Sequence, residues 1–354
     1  MDFLQLTREE RRKALADLGE KPFREKQIFR WICRGAESFA EMTDLSAALR
    51  EKLAASFSFG KAEVIQTQRS ADGTVKYLLA FPDGEKAEAV FMKYSYGNSL
   101  CISTQVGCNM RCAFCASGLG GKRRDLLASE MLDEYIVCSK VSGETISHVV
   151  LMGMGEPFDN YENVASFLRL IHDPEGIGLS YRNITLSTCG LVPFIERFGD
   201  EFPQVNLAVS LHASDQKARM ALMPAAKAYP LDVLIPACRR HAEKTGRRVT
   251  FEYALINGKN DSQENIRALA ALLRGINCHV NLIPLNPVKE SGLDTVTRTA
   301  AHAFAEKLES LGIPCTVRRQ LGADIDAACG QLRKKHEESI LTKNDTGNNA
   351  GNQV

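Results

Sequence analysis

Residues 99–118 read SLCISTQVGCNMRCAFCASG. The first six have the composition of a strand. The loop that follows carries Cys108, Cys112 and Cys115 in a C-x3-C-x2-C pattern. Three thiolates in one short loop can bind three irons of a 4Fe–4S cluster and leave the fourth iron open to a small molecule, an opening that four cysteines would close. One rival is structural zinc, which needs four ligands, usually as two separated pairs, and no second C-x2-C exists. The other is a set of reduced thiols. Phe114, the flanking glycines and the strand-then-loop context favour the cluster.

Outward from that loop the pattern alternates strand and helix. Strand-like runs fall at 99–104, 148–152, 183–187, 205–211, 249–256, 279–285 and 314–318, with helical stretches between them at 160–172, 261–273 and 298–311. Repeated βα units predict an α/β fold with a parallel sheet, either a barrel or a doubly wound sheet. Before residue 99 the pattern changes. Residues 62–93 hold three β-like runs separated by Ala71-Asp72-Gly73 and Pro82-Asp83-Gly84, both turn signals. The first ~57 residues read as helices. Thr7 and Glu10 form a capping-box pattern; Pro22 suits a first turn; Phe23, Ile28, Trp31 and Ile32 follow at helical spacing; a third helix fits Ser46 to Phe57. The expected organisation is a helical domain over 1–60, a β-hairpin extension over 61–97, a βα domain over 98–335 and a polar, disordered tail over 336–354.

The chain has 354 residues, 44% hydrophobic and 25% charged, as a globular protein of one large and one small domain would. No apolar run approaches the roughly 20 residues that span a bilayer, and the charged start MDFLQLTREERRK is no secretory signal, so a cytoplasmic protein is expected. Eleven cysteines in that compartment stay mostly reduced. Net charge is only +1, but basic residues cluster at 21–34 (Lys21, Arg24, Lys26, Arg30, Arg34), at 239–248, at Lys122–Arg124 and at Arg318 and Arg319. Such clusters suit phosphate contacts; the blander reading is a solvated helix face.

The C-x3-C-x-F-C pattern resembles the signature of the radical-SAM superfamily, whose fold is a partial (βα)6 barrel and whose open iron binds S-adenosylmethionine. A closer resemblance runs from about residue 20 to 335. GNSLCISTQVGCNMRCAFCASGLGG, VVLMGMGEPFDNYENV, ITLSTCG, VNLAVSLHA, HVNLIPLNP and GADIDAACGQL are similar to the RlmN family. Those enzymes methylate C2 of the adenosine at position 2503 of 23S rRNA and, in some members, of adenosine 37 of tRNA. The resemblance implies one 4Fe–4S cluster on Cys108, Cys112 and Cys115, and two molecules of S-adenosylmethionine per turnover, as methyl donor and radical source. It implies that Cys329 is methylated first and transfers its carbon to the base, that Cys101 then attacks the Cys329 sulfur and frees the product as a disulfide forms, and that Glu88 accepts the proton leaving C2. Gly155, Glu156, Ser187, Ser210, Leu211, His212 and Asn286 match the family's cofactor contacts. All follow strands in the reading above, where barrels place their sites. A monomer served by a flavodoxin or ferredoxin electron donor is expected, with the helical domain gripping RNA.

Each residue has a plainer reading. Cys101 in an apolar strand and Cys329 near the end of the matched region could be buried hydrophobes; His212 could be a core histidine; Glu88 on a hairpin could be solvated. Cys189 departs from the family's usual serine. Cys33, Cys138, Cys238, Cys278 and Cys315 lack metal-like spacing and read as core. Two other functions stay open: C8 methylation of the same base, as in the sister Cfr family, and a non-catalytic Fe–S RNA-binding protein.

Overall fold

The computed structural model describes residues 1–60, 62–285, 292–322, 324–325 and 331–333. Three helices come first: α1 (Arg8–Asp17), α2 (Arg24–Cys33) and α3 (Ala47–Ser56). The capping box at Thr7 closes both ways. Thr7 Oγ1 accepts from the Glu10 N–H at 3.2 Å, and the Glu10 carboxylate accepts from the Thr7 N–H at 2.7 Å. Helix α2 buries Ile28, Phe29 and Ile32, and its buried Glu25 pairs with buried Arg11 of α1 at 2.8 Å. Phe23, counted into that stripe from its spacing, is exposed instead. It stands at the N-cap, before the helix has set its faces, beneath the Arg24 guanidinium.

The strands follow. β1 (Glu63–Arg69), β2 (Val75–Ala80) and β3 (Lys86–Tyr94) form an antiparallel meander, joined at the two predicted turns. β4 (Gly97–Cys101) pairs antiparallel with β3 on one side and parallel with β7 (Ile146–Leu151) on the other. Between them β5 (Gln105–Val106) and β6 (Arg124–Asp125) make a two-residue ladder, which bridges the base of the cysteine loop. Then come β8 (Ile184–Thr188), β9 (Asn206–Ser210), β10 (Val249–Leu255), β11 (Cys278–Pro284) and β12 (Cys315–Val317), each parallel to its neighbour. The result is one ten-stranded sheet in the order β1-β2-β3-β4-β7-β8-β9-β10-β11-β12. β4 is its seam. The meander is therefore an extension of the parallel sheet, hydrogen-bonded along β3.

Helices α4 (Ala128–Ser142), α5 (Tyr161–His172), α6 (Val192–Glu201), α7 (Gln216–Leu222), α8 (Leu231–Thr245), α9 (Gln263–Leu273) and α10 (Arg298–Ser310) fill the connections. This is the parallel βα architecture expected from the alternation, in the partial-barrel form that the resemblance implies, with β12 as a short continuation. A sheet covered by helices on one face and closing on itself on the other buries both faces of its strands, so β10 (VTFEYAL) is buried at six of seven positions. The main core includes Cys138, Cys238, Cys278 and Cys315, with Cys33 packed at its edge. No helix among the described residues is long and apolar enough to cross a membrane.

The basic clusters are largely engaged. Lys26 and Arg30 both reach Glu175, at 2.7 and 2.5 Å, and hold α2 against the segment after α5. Arg240 pairs with Glu196, and Lys122 with Asp125 and Asp159. Much of the charge read from the sequence as phosphate-seeking thus also ties elements together.

Candidate active site

The cysteine loop leaves β5 through Gly107, whose φ of +84° favours glycine. A Cβ there would stand 1.9 Å from the Gly121 carbonyl, so only glycine lets the loop's two ends pass. Cys108 follows, buried, its sulfur accepting from the Met110 N–H at 3.5 Å. Cys112 and Cys115 are half-buried. All three line one wall of a cleft of about 200 Å³ at the C-terminal ends of the parallel strands. Burial pushes the Cys108 thiol up to about 12. A cationic metal centre would reverse that by binding the thiolate. Three soft donors on one loop, facing an open cleft, fit a cluster with one uncommitted position.

The opposite wall comes from the loops after β7, β8 and β9. Gly155, at φ +110°, packs so closely on Thr104 and Gln105 that a Cβ would meet both below 3.0 Å. Glu156 is buried. One carboxylate oxygen accepts the Cys189 N–H at 2.6 Å and the other the Phe158 N–H at 3.1 Å. Burial pushes its pKa up, against those N–H groups and the Thr188 hydroxyl. Ser187 and Ser210 also line the cleft, half-buried at the ends of β8 and β9.

His212 adopts φ +56°, a left-handed conformation costly for a non-glycine residue and common at functional sites. Its Nδ1 accepts the Ala254 N–H at 2.9 Å, which leaves the proton on Nε2. Burial, then the charge of Arg219, lowers its pKa to about 3, so the ring is neutral. It meets Phe114 edge-on, with centroids 4.6 Å apart. His212 is therefore both a satisfied histidine and a wall of the cleft. Leu211 is different: its side chain is fully buried in the main core, and it is not among the residues that line the cleft. Asn286 and Cys329 lie outside the described residues.

Cys101 and Glu88 sit on the next part of the same concave face. Val90, Met92 and Cys101 form a separate apolar cluster with Val150 and Met152, and Met152 also lines the cleft. Glu88 is not solvated. It is 3% exposed and pairs at 2.9 Å with Lys76 Nζ, itself fully buried. Its other oxygen accepts the Arg333 N–H at 2.7 Å. A second grip lies at the β1–β2 turn. Asp324 accepts from Ser70 Oγ and from the Ala71 N–H, while Asp72 accepts the Gly322 N–H at 2.8 Å. The meander thus holds the chain at Gly322, Asp324 and Arg333, positions that flank 329 in sequence.

Sequence reasoning gave four residues here no place in the cleft, although it reads Arg318 as part of a basic cluster. Arg219, fully buried, donates to the carbonyls of Cys189 (2.8 Å), Ser210 (3.2 Å) and Tyr229 (3.1 Å), stapling the ends of β8 and β9. Glu252 lines the cleft from β10, buried and accepting from Asn281 Nδ2 at 3.1 Å; burial pushes its pKa up, and Arg318 opposes the shift. Arg318 lines the cleft from the end of β12. Lys76 is the fourth. A charge amid an apolar strand run, as in VTFEYALI or VKYLLA, was the available signal for Glu252 and Lys76. Cys189, noted as a departure, places its sulfur 3.9 Å from that of Cys112.

Comparison with known proteins agrees with this geometry. Residues 1–58 match the family described as the ribosomal RNA large subunit methyltransferase N-terminal domain, and residues 102–270 match the radical SAM superfamily. The chain is 49% identical over 333 residues to a probable dual-specificity RNA methyltransferase RlmN of Thermoanaerobacter sp., covering 94% of this chain and 97% of that one. It is 48% identical to the protein of the same name from Lachnospira eligens, covering 92% and 94%. Among solved structures, a radical SAM methyltransferase from Sphaerobacter thermophilus superposes with a TM-score of 0.89 at 44% identity, covering 94% of this chain and 98% of that one.

Proposed function

This chain belongs to the RlmN family of radical-SAM RNA methyltransferases, and from that premise we propose that it methylates C2 of the adenosine at position 2503 of 23S rRNA and of adenosine 37 of tRNA. Cys108, Cys112 and Cys115 hold a 4Fe–4S cluster. Gly155, Glu156, Ser187, Ser210, Leu211, His212 and Asn286 hold S-adenosylmethionine. When bound, the pair supplies a methyl group in one round and a 5′-deoxyadenosyl radical in the next, with the electron coming from a flavodoxin or ferredoxin.

The chain's own residues do the rest. Glu156 presents a carboxylate already oriented by two N–H donors, and a cofactor ammonium would offset the cost of burying it. Arg219 fixes the backbone of Cys189 and Ser210, so both loops keep their spacing when the cleft is empty or full. Adenine C2 is electron-poor and cannot attack a sulfonium methyl directly, so the carbon is delivered from the sulfur of Cys329. Glu88 takes the proton that leaves C2, from a position fixed by Lys76. The Cys101 thiolate attacks the Cys329 sulfur; the bond from that sulfur to the transferred carbon breaks with its electron pair going to the carbon, which takes up a proton and becomes the methyl group, and a Cys101–Cys329 disulfide remains.

The observation that carries this reading is that Met152 belongs both to the cofactor cleft and to the apolar cluster of Cys101. Cofactor and resolving thiol therefore open on one continuous face. Nucleoside mass spectrometry tests it: anaerobically reconstituted enzyme with reductant, S-adenosylmethionine and unmethylated 23S rRNA should yield 2-methyladenosine. Release of 8-methyladenosine, or of no methylated base while the cofactor is still cleaved, would overturn the assignment.

A further inference from the structure

We propose that Tyr96, backed by Tyr94, is a stacking platform for an unpaired base of the RNA substrate at the mouth of the concave face. The proposal rests on the RNA reading above and adds a site to it.

The strand register sets the location. Side chains alternate along a strand, so Glu88, Val90, Met92 and Tyr94 of β3 share a face. Ser99 and Cys101 of β4 continue it, and their registered partners on β7 are His148 and Val150. This is the face of the Cys101 cluster, against which Tyr94 packs. The chain runs from the far end of β4 through β5 into the cysteine loop, whereas Tyr96 stands in the turn just before β4 begins. The face therefore runs from the cofactor cleft, past Cys101, to the tyrosine pair.

The geometry suits a base. The Tyr94 and Tyr96 rings lie 4.9 Å apart and 9° from parallel. Tyr96 is braced edge-on by His148 at 5.2 Å. One ring face is thus covered and held, yet the residue is 64% exposed. A rigid planar surface with one open side takes one more planar ring, and every nucleobase has a π-face to offer. Arg318, which lines the cleft, lies within charge range of the Tyr96 hydroxyl, and Arg319 beside it is exposed. These cations suit the phosphates of a strand passing between platform and cleft. A protein helix would need several apolar anchors in a row; among the described residues the other large exposed apolar side chains, such as Phe23, Leu119 and Val233, fall on separate elements. Unstacking the target adenine also leaves its neighbours needing a new surface, which an aromatic ring supplies.

The test uses the full-length, cluster-loaded protein and an in vitro transcript of the 23S rRNA region around position 2503. Tyr96→Ala should weaken transcript binding about tenfold, raise KM more than it lowers kcat, and leave iron content unchanged. Tyr96→Phe, which keeps the ring, should bind as wild type does. Equal affinity of Tyr96→Ala and wild type would overturn the platform, as would a Tyr96→Phe variant as weak as Tyr96→Ala, which would assign the effect to the hydroxyl. Failure of the wild-type protein to bind the transcript would instead overturn the RNA reading on which the proposal stands.

Discussion

The two halves of the sheet use charge in opposite ways. In the parallel half, from β4 to β12, Glu156 and His212 sit on loops just beyond β7 and β9 and Arg219 on α7, each held by backbone groups of the strand ends and loops; Glu252, inside β10, is the cleft's one charged residue within a strand among those described. In the antiparallel meander, Lys76 and Glu88 sit inside the sheet, paired with each other across adjacent strands. The first arrangement shapes a cleft for a small cofactor. The second holds a distant piece of the chain, through the grip of Glu88 on Arg333 and of the β1–β2 turn on Gly322 and Asp324. On the proposed reading, this difference puts cofactor activation and base chemistry on separable parts: damage to the parallel half should stop both, and damage to the meander should stop only the second.

The sharpest way to break that contrast is Cys112→Ala. Loss of one cluster ligand should abolish both cofactor cleavage and RNA methylation, each by about 10⁴-fold or more, with iron content falling in parallel. Cofactor cleavage surviving in this variant would sink the assignment of the loop. Glu88→Gln should act on one side only, lowering methylation by roughly 10²–10⁴-fold while 5′-deoxyadenosine is still formed. A turnover near wild type would remove Glu88 from the chemistry. Lys76→Met leaves the Glu88 carboxylate buried without its ammonium, and should cost about 3–5 kcal/mol of unfolding free energy. Combined with Glu88→Gln it should cost less than the two changes summed, because they break one shared pair; strict additivity in denaturant melts would argue against coupling.

The seam between the helical N-terminus and the sheet carries its own pH signature. Asp133 on α4 accepts the Ala62 N–H at 3.2 Å, and burial, with Asp2 and Glu130 nearby, raises its pKa to about 7. In the unfolded chain an aspartate titrates near 3.9. As pH rises from about 4 to 7 the unfolded state therefore loses its proton first, and the folded state loses stability across that window. Asp133→Asn should flatten this decline and gain on the order of 4 kcal/mol near pH 8, with little effect at pH 4. Urea melts at the two pH values would decide it, and parallel curves for both proteins would refute it. The smallest effect belongs to the β1–β2 turn. Burial pushes Asp72 up, but the Gly322 N–H and groups of Thr74 and Ser70 bring it down to about 2. Its stabilising contribution should be present above about pH 4 and fade as pH falls toward 2. Asp72→Asn should cost about 1 kcal/mol at pH 7 and nothing at pH 2, where acid unfolding of the two proteins should coincide.

Much of the fold was legible because its signals are local. Seven strand runs, the capping box at Thr7 and the turns at Asp72 and Asp83 each depend on a few consecutive residues, and each appears within a few residues of its expected place. The cysteine loop was legible for the same reason. Glu88 was harder. Read alone, it belonged to a solvated hairpin; the structure buries it, because β3 is an interior strand with β2 on one side and β4 on the other. Arg219 gave no signal at all, since its three carbonyl partners come from three different segments.

What the sequence determined by itself was the alternation of strand and helix, the thiol loop and the family, since periodicity and ligand spacing are written in neighbouring residues. Only the tertiary structure decided that Lys76 faces Glu88, that Met152 joins the cofactor cleft to Cys101, and that a turn at Asp72 holds Gly322 from 250 positions away. Those facts depend on strand register and on how far the sheet curls, which are set by packing across the whole domain.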